Sequence, residues 1–357
     1  MGGHIHSIPQ HNFNQFNQID SENMLTEELI QEILNNNVLY IQINSFNKVS
    51  LKTYKILNDR IFSVKPNICL RLYGWSDKID LKILDKMKNL QHLSIDHYEV
   101  VNEQSISHLK DLKSLSLETK NIINYDFLNE INENLEKLSI IADDTKQHKV
   151  DISQITRFKK LKSFCVLGHN KNIEQAISQL ENLEVLILSK IKTIKNLDFV
   201  TSLKKLEYLH LKSIPLTNFD ALESLPRLKF IEFYKVENLE NLNFINKMDS
   251  LEHIFLQTVN KITSFPKLNA NCKLRKIELW YMKNIRDFGA LENLHTLKEF
   301  ACREMITNEP NDFLPVLRNK NIEKIEIWFL KEGQRKEMQK LYEAHDKQLS
   351  RISYMYS

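Results

Sequence analysis

His210 and Glu232 are the residue types of a general acid–base pair, and they stand 22 residues apart. Such a pair works only if the fold brings imidazole and carboxylate to within about 3 Å. Glu278 and Glu326 follow at intervals of 46 and 48 residues. A second chemistry lies at the amino terminus. With Met1 removed, Gly2-Gly3-His4 offers an amine, two amides and an imidazole, a square-planar donor set for Cu(II) or Ni(II). His6 and His11 follow closely, but a tail with accidental histidines, or a cloning remnant, is the plainer reading. His92 and Asp96 alternate onto one strand face, and two residues do not make a metal site. Cys69, Cys165, Cys272 and Cys302 are scattered, with no CxxC pair and no His cluster. They read as free thiols in a reducing compartment rather than zinc ligands or a disulfide framework. Neither a Gly-rich phosphate loop nor a nucleophile motif is present, so no cofactor or metal is expected.

Whether His210 meets Glu232 depends on a fold that returns at that interval, and the sequence has one. "LEVLIL" (183–188), "LEYLHL" (206–211), "LKFIEF" (228–233), "LEHIFL" (251–256) and "LRKIEL" (274–279) share the template L-x-x-L-x-L. Its first positions are Val38, Asn67, Leu90, Leu112, Leu135, Leu161, Leu183, Leu206, Leu228, Leu251, Leu274, Leu297 and Ile322, with spacings between 22 and 29 residues. Strand side chains alternate between faces, so the fourth and sixth positions share one side. In all thirteen copies they are apolar, from Ile41/Ile43 to Ile325/Ile327, whereas the fifth is mostly polar. A one-residue slip would expose this whole set. Between strands a second apolar series runs at i, i+3, i+6, as in Leu197, Val200 and Leu203 or Phe288, Leu291 and Leu294. That spacing predicts short helical or 3₁₀ turns on the far side.

The chain here resembles the leucine-rich repeat family, whose repeats are about 20–29 residues long. The resemblance covers residues 38 to 330 and implies an α/β solenoid: a curved, parallel concave sheet of about thirteen strands with short helical or 3₁₀ turns on the convex side. The sequence departs from the family at the ninth position, where Asn or Cys is usual. Ile191, Ile214, Val236, Val259, Met282, Met305 and Leu330 stand there instead. A buried Asn ladder is thus excluded in these repeats, and the loop backbone must pair otherwise. A solenoid also needs its ends closed. Residues 21–37 read as an amphipathic capping helix with Leu25, Leu29 and Ile33 on one stripe and Ile30 and Leu34 beside it. Residues 331–357 read as a closing helix and tail with Met338, Leu341, Tyr342 and Leu349 turned inward. The Asn/Gln-rich residues 1–20 are expected to be disordered.

The third, fifth and seventh template positions face outward from the concave sheet. In the last six repeats these include Tyr208, His210, Lys212, Phe230, Glu232, Tyr234, His253, Phe255, Gln257, Lys276, Glu278, Trp280, Arg303 and Trp328. With strands about 4.8 Å apart, they span a field on the order of 300 Å², the size of a functional surface patch. Trp, Tyr and Arg dominate interface energetics, which favours a protein-binding face over the plainer readings that aromatics like strands or that the tail "RISYMYS" folds over them. A standard interface takes about 800 Å² per partner, so loops must contribute. The polar insertion "ADDTKQHK" (142–149) is the candidate. Ile141, Leu167, Val185 and Ile187 form a smaller apolar extension of the same face.

Composition excludes other classes. The chain is 42% hydrophobic and 27% charged, with a net charge of only +3 over 357 residues. The outward positions carry Lys212, Lys276, Arg303 and Lys324 against Glu232, Glu278, Glu299 and Glu326, so a phosphate backbone would meet as much repulsion as attraction. Nothing resembles a secretory signal, an acylation site or a membrane span. An open sheet offers no deep pocket for a small-molecule substrate or for catalysis. The expectation is therefore a non-enzymatic, cytoplasmic module that binds another protein through the concave face of its C-terminal repeats, the aromatics acting as anchors and the charges setting register. The resemblance adds that bacterial repeat proteins of this kind serve as interaction modules, and the Asn-, Lys- and Ile-rich composition suits an AT-rich bacterial genome. A specific version is an inhibitor or toxin-neutralising immunity protein. An enzyme using His210 and Glu232, or a scaffold for self-association, are the alternatives.

Overall fold

The computed structural model describes residues 16–44, 46–74, 78–122, 124–142, 149–168, 171–305 and 307–353. The chain divides into two compact units, one ending at Asn182 and the other beginning at Leu183.

The first unit carries β1 (Phe16–Gln18), α1 (Glu27–Asn35), β2 (Tyr40–Ile43), α2 (Leu51–Ile56), β3 (Cys69–Gly74), β4 (Ile79–Asp80), β5 (His92–His97), β6 (Val100–Val101), β7 (Ser114–Thr119), β8 (Lys137–Ala142), β9 (Ser163–Leu167) and α3 (Ile173–Ile177). Its main sheet runs β1-β2-β3-β5-β7-β8-β9, with every adjacent pair parallel. The short strands β4 and β6 pair separately. Strand β1 corrects an expectation. Residues 16–20 are ordered: β1 pairs with β2, the Ile19 N–H donates to Gln42 O at 2.8 Å, and the Ile19 side chain is fully buried. Composition misled because an open sheet edge supplies backbone partners that a polar segment can use. Residues 1–15, with the Gly2-Gly3-His4 terminus, lie outside the described residues, as does 143–148 of the polar insertion. Helix α1 is shorter than the predicted 21–37. Thr26 caps it by accepting from Leu29 N–H, and Ile30 and Ile33 are the buried side chains. Ser and Thr favour that cap position because the first helical N–H groups lack partners.

The second unit carries β10 (Val185–Ser189), β11 (Tyr208–Lys212), β12 (Phe230–Tyr234), β13 (His253–Gln257), β14 (Lys276–Trp280), β15 (Glu299–Met305), α4 (Leu314–Arg318), β16 (Lys324–Phe329) and α5 (Glu332–Ala344). The strands pair in parallel in chain order, equivalent template positions side by side: Leu209 with Ile231, Ile231 with Ile254, Ile254 with Ile277. The register inferred from the repeat holds throughout both units. None of the 26 fourth- and sixth-position side chains is more than 4% exposed. The predicted 3₁₀ turns are present at Asp198–Ser202, Asp220–Ser224, Asn243–Lys247 and Gly289–Leu291. Each is entered by a short polar side chain two residues before it: Asn196, Asn218, Asn241 and Asp287 accept from the N–H of Asp198, Asp220, Asn243 and Gly289. This local bond to a backbone N–H favours turns over strands.

The missing Asn ladder has a backbone substitute. Lys190, Ser213, Lys235, Thr258 and Tyr281, each just past a strand, and Glu304, at the register shift near the end of β15, have φ between 52° and 56°. In the first five, the turned N–H donates to a carbonyl at the end of the next strand, at 2.9 to 3.1 Å: Lys190 to Lys212, Ser213 to Tyr234, Lys235 to Gln257, Thr258 to Trp280 and Tyr281 to Arg303. The backbone thus continues the ladder through a left-handed residue, leaving the ninth position free to be apolar. Ile191, Ile214, Val236, Val259, Met282 and Met305 are all at most 1% exposed, while Leu330 is exposed.

Candidate docking face

The outward rows of the second unit are set by strand register. One row runs Tyr208, Phe230, His253, Lys276, Glu299, Lys324; the next His210, Glu232, Phe255, Glu278, Ala301, Glu326; the third Lys212, Tyr234, Gln257, Trp280, Arg303, Trp328. All fourteen predicted site residues therefore share one face. The structure brings them closer together than an open field would allow. Phe255 and Glu278 are 3% and 0% exposed, and His210 and His253 are buried too. These four are not surface anchors, which corrects the expectation. With neighbouring strands about 4.8 Å apart, large side chains on adjacent rungs shield His210, Phe255 and Glu278 in the central row, and Phe230 packs against His253 in the first. Ile141, Leu167 and Ile187 are likewise buried, so of the expected apolar extension Val185 alone stays partly accessible.

What remains accessible is a set of half-buried rings, Tyr208, Phe230, Tyr234 and Trp280, with Trp328 exposed at the end. Each is held by a neighbour. Phe230 meets His253 edge-on at 5.5 Å, and Phe255 meets Trp280 edge-on at 5.2 Å. Lys212 and Lys235 lie 4.8 and 5.2 Å from the Tyr234 ring. Arg303 lies 4.8 Å from Trp280, and Arg335 lies 5.2 Å from Trp328. Such cation–ring contacts contribute about 0.5–2 kcal/mol and restrict the rings to few rotamers.

The charges pair among themselves. Glu278 sits between Lys276 Nζ at 2.9 Å and His253 Nε2 at 3.1 Å. These are ion-pair distances without hydrogen-bond angles, since neither Glu278 oxygen has a directed donor. Burial pushes this carboxyl up, but His253 and Lys276 outweigh it and leave it below the ordinary carboxylate range. Lys324 pairs with Glu299 at 3.0 Å, and Arg303 grips Glu326 through two bonds of 2.8 and 2.7 Å. The Lys212 amine is shifted down by burial and by Lys190 and Lys235.

His210 and Glu232 do stand side by side, but not as a hydrogen-bonded acid–base pair. The Tyr208 hydroxyl donates to Glu232 Oε2, and His210 Nδ1 is 3.9 Å from that oxygen. In the first unit, Asp96 is bound by Arg71, which also donates to Gln42 at 3.0 Å, so it is not paired with His92 for a metal. No group of three or more metal-ligating side chains occurs among the described residues. The four cysteines are unpaired, and burial pushes the Cys165 thiol up to about 11. No helix among the described residues is long and apolar enough to cross a membrane.

The carboxy-terminal segment adds what the repeat pattern did not. Helix α5 ends at Ala344, with Met338 and Tyr342 buried and Ile327 N–H donating to Tyr342 Oη at 2.8 Å. Leu349, expected to turn inward, is 50% exposed. Beyond it Ser350 N–H donates to Ile325 O at 2.8 Å, and Ile352 and Ser353 reach the outward face of β14 to β16. The expectation of an uncovered face thus fails at that end. Only the alternation of Leu349, Arg351 and Ser353 with Ser350 and Ile352 could have signalled an extended segment.

No protein-family model matches the chain, and no curated protein matches its sequence. Solved structures do. A leucine-rich repeat protein of Leptospira interrogans superposes with a TM-score of 0.51 at 17% identity, covering 93% of each chain. An internalin from Listeria monocytogenes gives 0.50 at 14% identity, covering 92% of this chain and 94% of the other. Together with parallel strands stacked in one template register, this likeness shows that the chain has the leucine-rich repeat fold.

Proposed function

We propose that the protein is a protein-interaction module whose docking surface is the outward strand face of β11 to β14. The observation that carries this is the group of half-buried rings Tyr208, Phe230, Tyr234 and Trp280, prefixed by contacts within the chain. Large rings already confined in rotamer lose little entropy on binding, which is what interface anchors need. The balanced, internally paired charges of the same face suit a protein surface better than a phosphate backbone. The finer reading is a cytoplasmic inhibitor or immunity protein of bacterial type that occludes a partner's functional surface. Its supports are the unpaired cysteines, the Asn-, Lys- and Ile-rich composition and the likeness to bacterial repeat proteins in fold alone.

The test is comparative capture. Parent protein, the double variant Tyr234→Ala/Trp280→Ala and the far-side control Thr201→Ala are each used as bait against cell extract. A partner retained by parent and control but lost by the double variant supports the reading. A partner retained equally by all three removes this face as the docking surface.

A further inference from the structure

Arg303 and Glu326 do more than pair with each other. Their two mutual bonds leave guanidinium N–H groups and carboxylate lone pairs over, and one of each is spent on the backbone of a single residue. Arg303 Nη2 donates to Ile352 O at 2.6 Å, and Ile352 N–H donates to Glu326 Oε2 at 2.7 Å. One residue further on, Lys276 Nζ donates to Ser353 O at 2.9 Å. The Ile352 side chain is 2% exposed, while Arg351 and Ser353 on either side are exposed. The segment borders an open depression of about 580 Å³ lined by Arg303, Glu326, Arg351, Ile352 and Ser353.

This is the pattern by which a protein recognises an extended peptide: main-chain groups are matched in both directions and one alternate side chain is buried. Nothing in it depends on the segment belonging to the same chain. The polar contacts to residues 352 and 353 go to backbone atoms, and the buried side chain is a plain branched aliphatic. Tethering supplies occupancy, because a linked ligand works at an effective concentration of about millimolar.

We propose that the outward face of β14 to β16 is a peptide-binding site for an extended segment of a partner protein carrying a branched aliphatic residue, and that residues 350–353 fill it in cis as a displaceable plug. The clamp is continuous with the docking face, since Arg303 also packs on Trp280. The inference rests on the docking reading only in assigning the occupant to a partner. In the free protein the plug keeps the Arg303–Glu326 pair covered. A partner segment must displace it, so residues 350–353 set the threshold for binding.

The test titrates a fluorescein-labelled, amidated peptide of residues 348–353, Gln-Leu-Ser-Arg-Ile-Ser, into full-length protein, with anisotropy as the readout. Hosts are the parent, Ile352→Asp, whose own tail cannot seat, and Ile352→Gly, which keeps the backbone and removes the side chain. Circular dichroism checks that each is folded. Relief of the tethered competitor should tighten binding at least about tenfold in both variants. Adding Arg303→Met, or replacing the peptide's isoleucine by aspartate, should abolish it. Absence of binding to both folded variants, equal binding to parent and variants, or binding that survives Arg303→Met overturns the proposal. The capture experiment above uses neither this peptide nor these substitutions, so the two readings can fail separately.

Discussion

Glu278 is the sharpest place to perturb this molecule, because a fully buried carboxylate faces the side of the sheet where water would be expected. Its attraction to Lys276 at 2.9 Å is worth about 6 kcal/mol at an effective dielectric of about 20. Removing both ions from water costs several kcal/mol each, so the pair as a whole contributes close to nothing. Breaking it is different. Glu278→Gln leaves Lys276 and His253 crowded around a neutral group, and orphaning a buried ion costs about 3–5 kcal/mol. Lys276 retains Ser353 O at 2.9 Å and Glu299 at 4.0 Å, which places the expected loss near the lower end, about 3 kcal/mol. Lys276→Met should cost a similar amount, whereas Glu278→Gln/Lys276→Met should cost less than either single change. The assay is urea unfolding followed by the fluorescence of Trp280 and Trp328, both in the second unit, in a Trp75→Phe background. A coupling of about 2 kcal/mol or more is expected for neighbours in one ion network. Additive costs in the cycle would refute the account of this face as internally paired.

The same packing sets three further outcomes. Thr258→Gly should raise stability by about 0.5–1 kcal/mol, because a left-handed β-branched residue costs about 1–2 kcal/mol and glycine returns only part of that as chain entropy; Thr258→Val should destabilise, and urea midpoints decide. The Glu278 and Glu326 carboxyls are both held low, by His253 with Lys276 and by Arg303 with the Ile352 N–H, each against the upward push of burial. Their contribution is therefore complete above the ordinary carboxylate value of about 4.3 and is lost as pH falls through the lowered folded values; the urea midpoint should drop in acid, with a smaller drop in Glu278→Gln/Glu326→Gln. Tyr342→Phe should cost about 1–3 kcal/mol by leaving the Ile327 N–H without its acceptor, read as a lower thermal midpoint.

The sequence made the strands legible because a two-residue alternation repeated in register leaves only one way to bury Ile231 with Phe233 and Ile254 with Leu256. It placed Phe230, Tyr234 and Trp280 on the correct side for the same reason. Alternation says which side a residue takes and not how crowded that side is, so Phe255 and Glu278 were read as available when neighbouring rungs close over them. The two ends were misread for a different cause. β1 and the 350–353 segment are ordered by backbone bonds to open edges and side chains, at Gln42 and Ile325 and at Arg303 and Glu326. Such bonds leave almost no trace in residue type. The turn residues Lys190, Ser213, Lys235, Thr258 and Tyr281 were silent likewise, since none is the glycine or asparagine that usually marks a left-handed turn.

Oxidative footprinting of the isolated complex tests the docking surface most directly. With a captured partner bound, hydroxyl-radical modification of Tyr208, Tyr234 and Trp280 should fall well below that of the free protein, while the exposed Tyr98 of the first unit stays unchanged. Undiminished labelling of those three rings, with protection appearing instead around the 3₁₀ turns at Asp198–Ser202 and Asp220–Ser224, would place the partner on the opposite side and contradict the account.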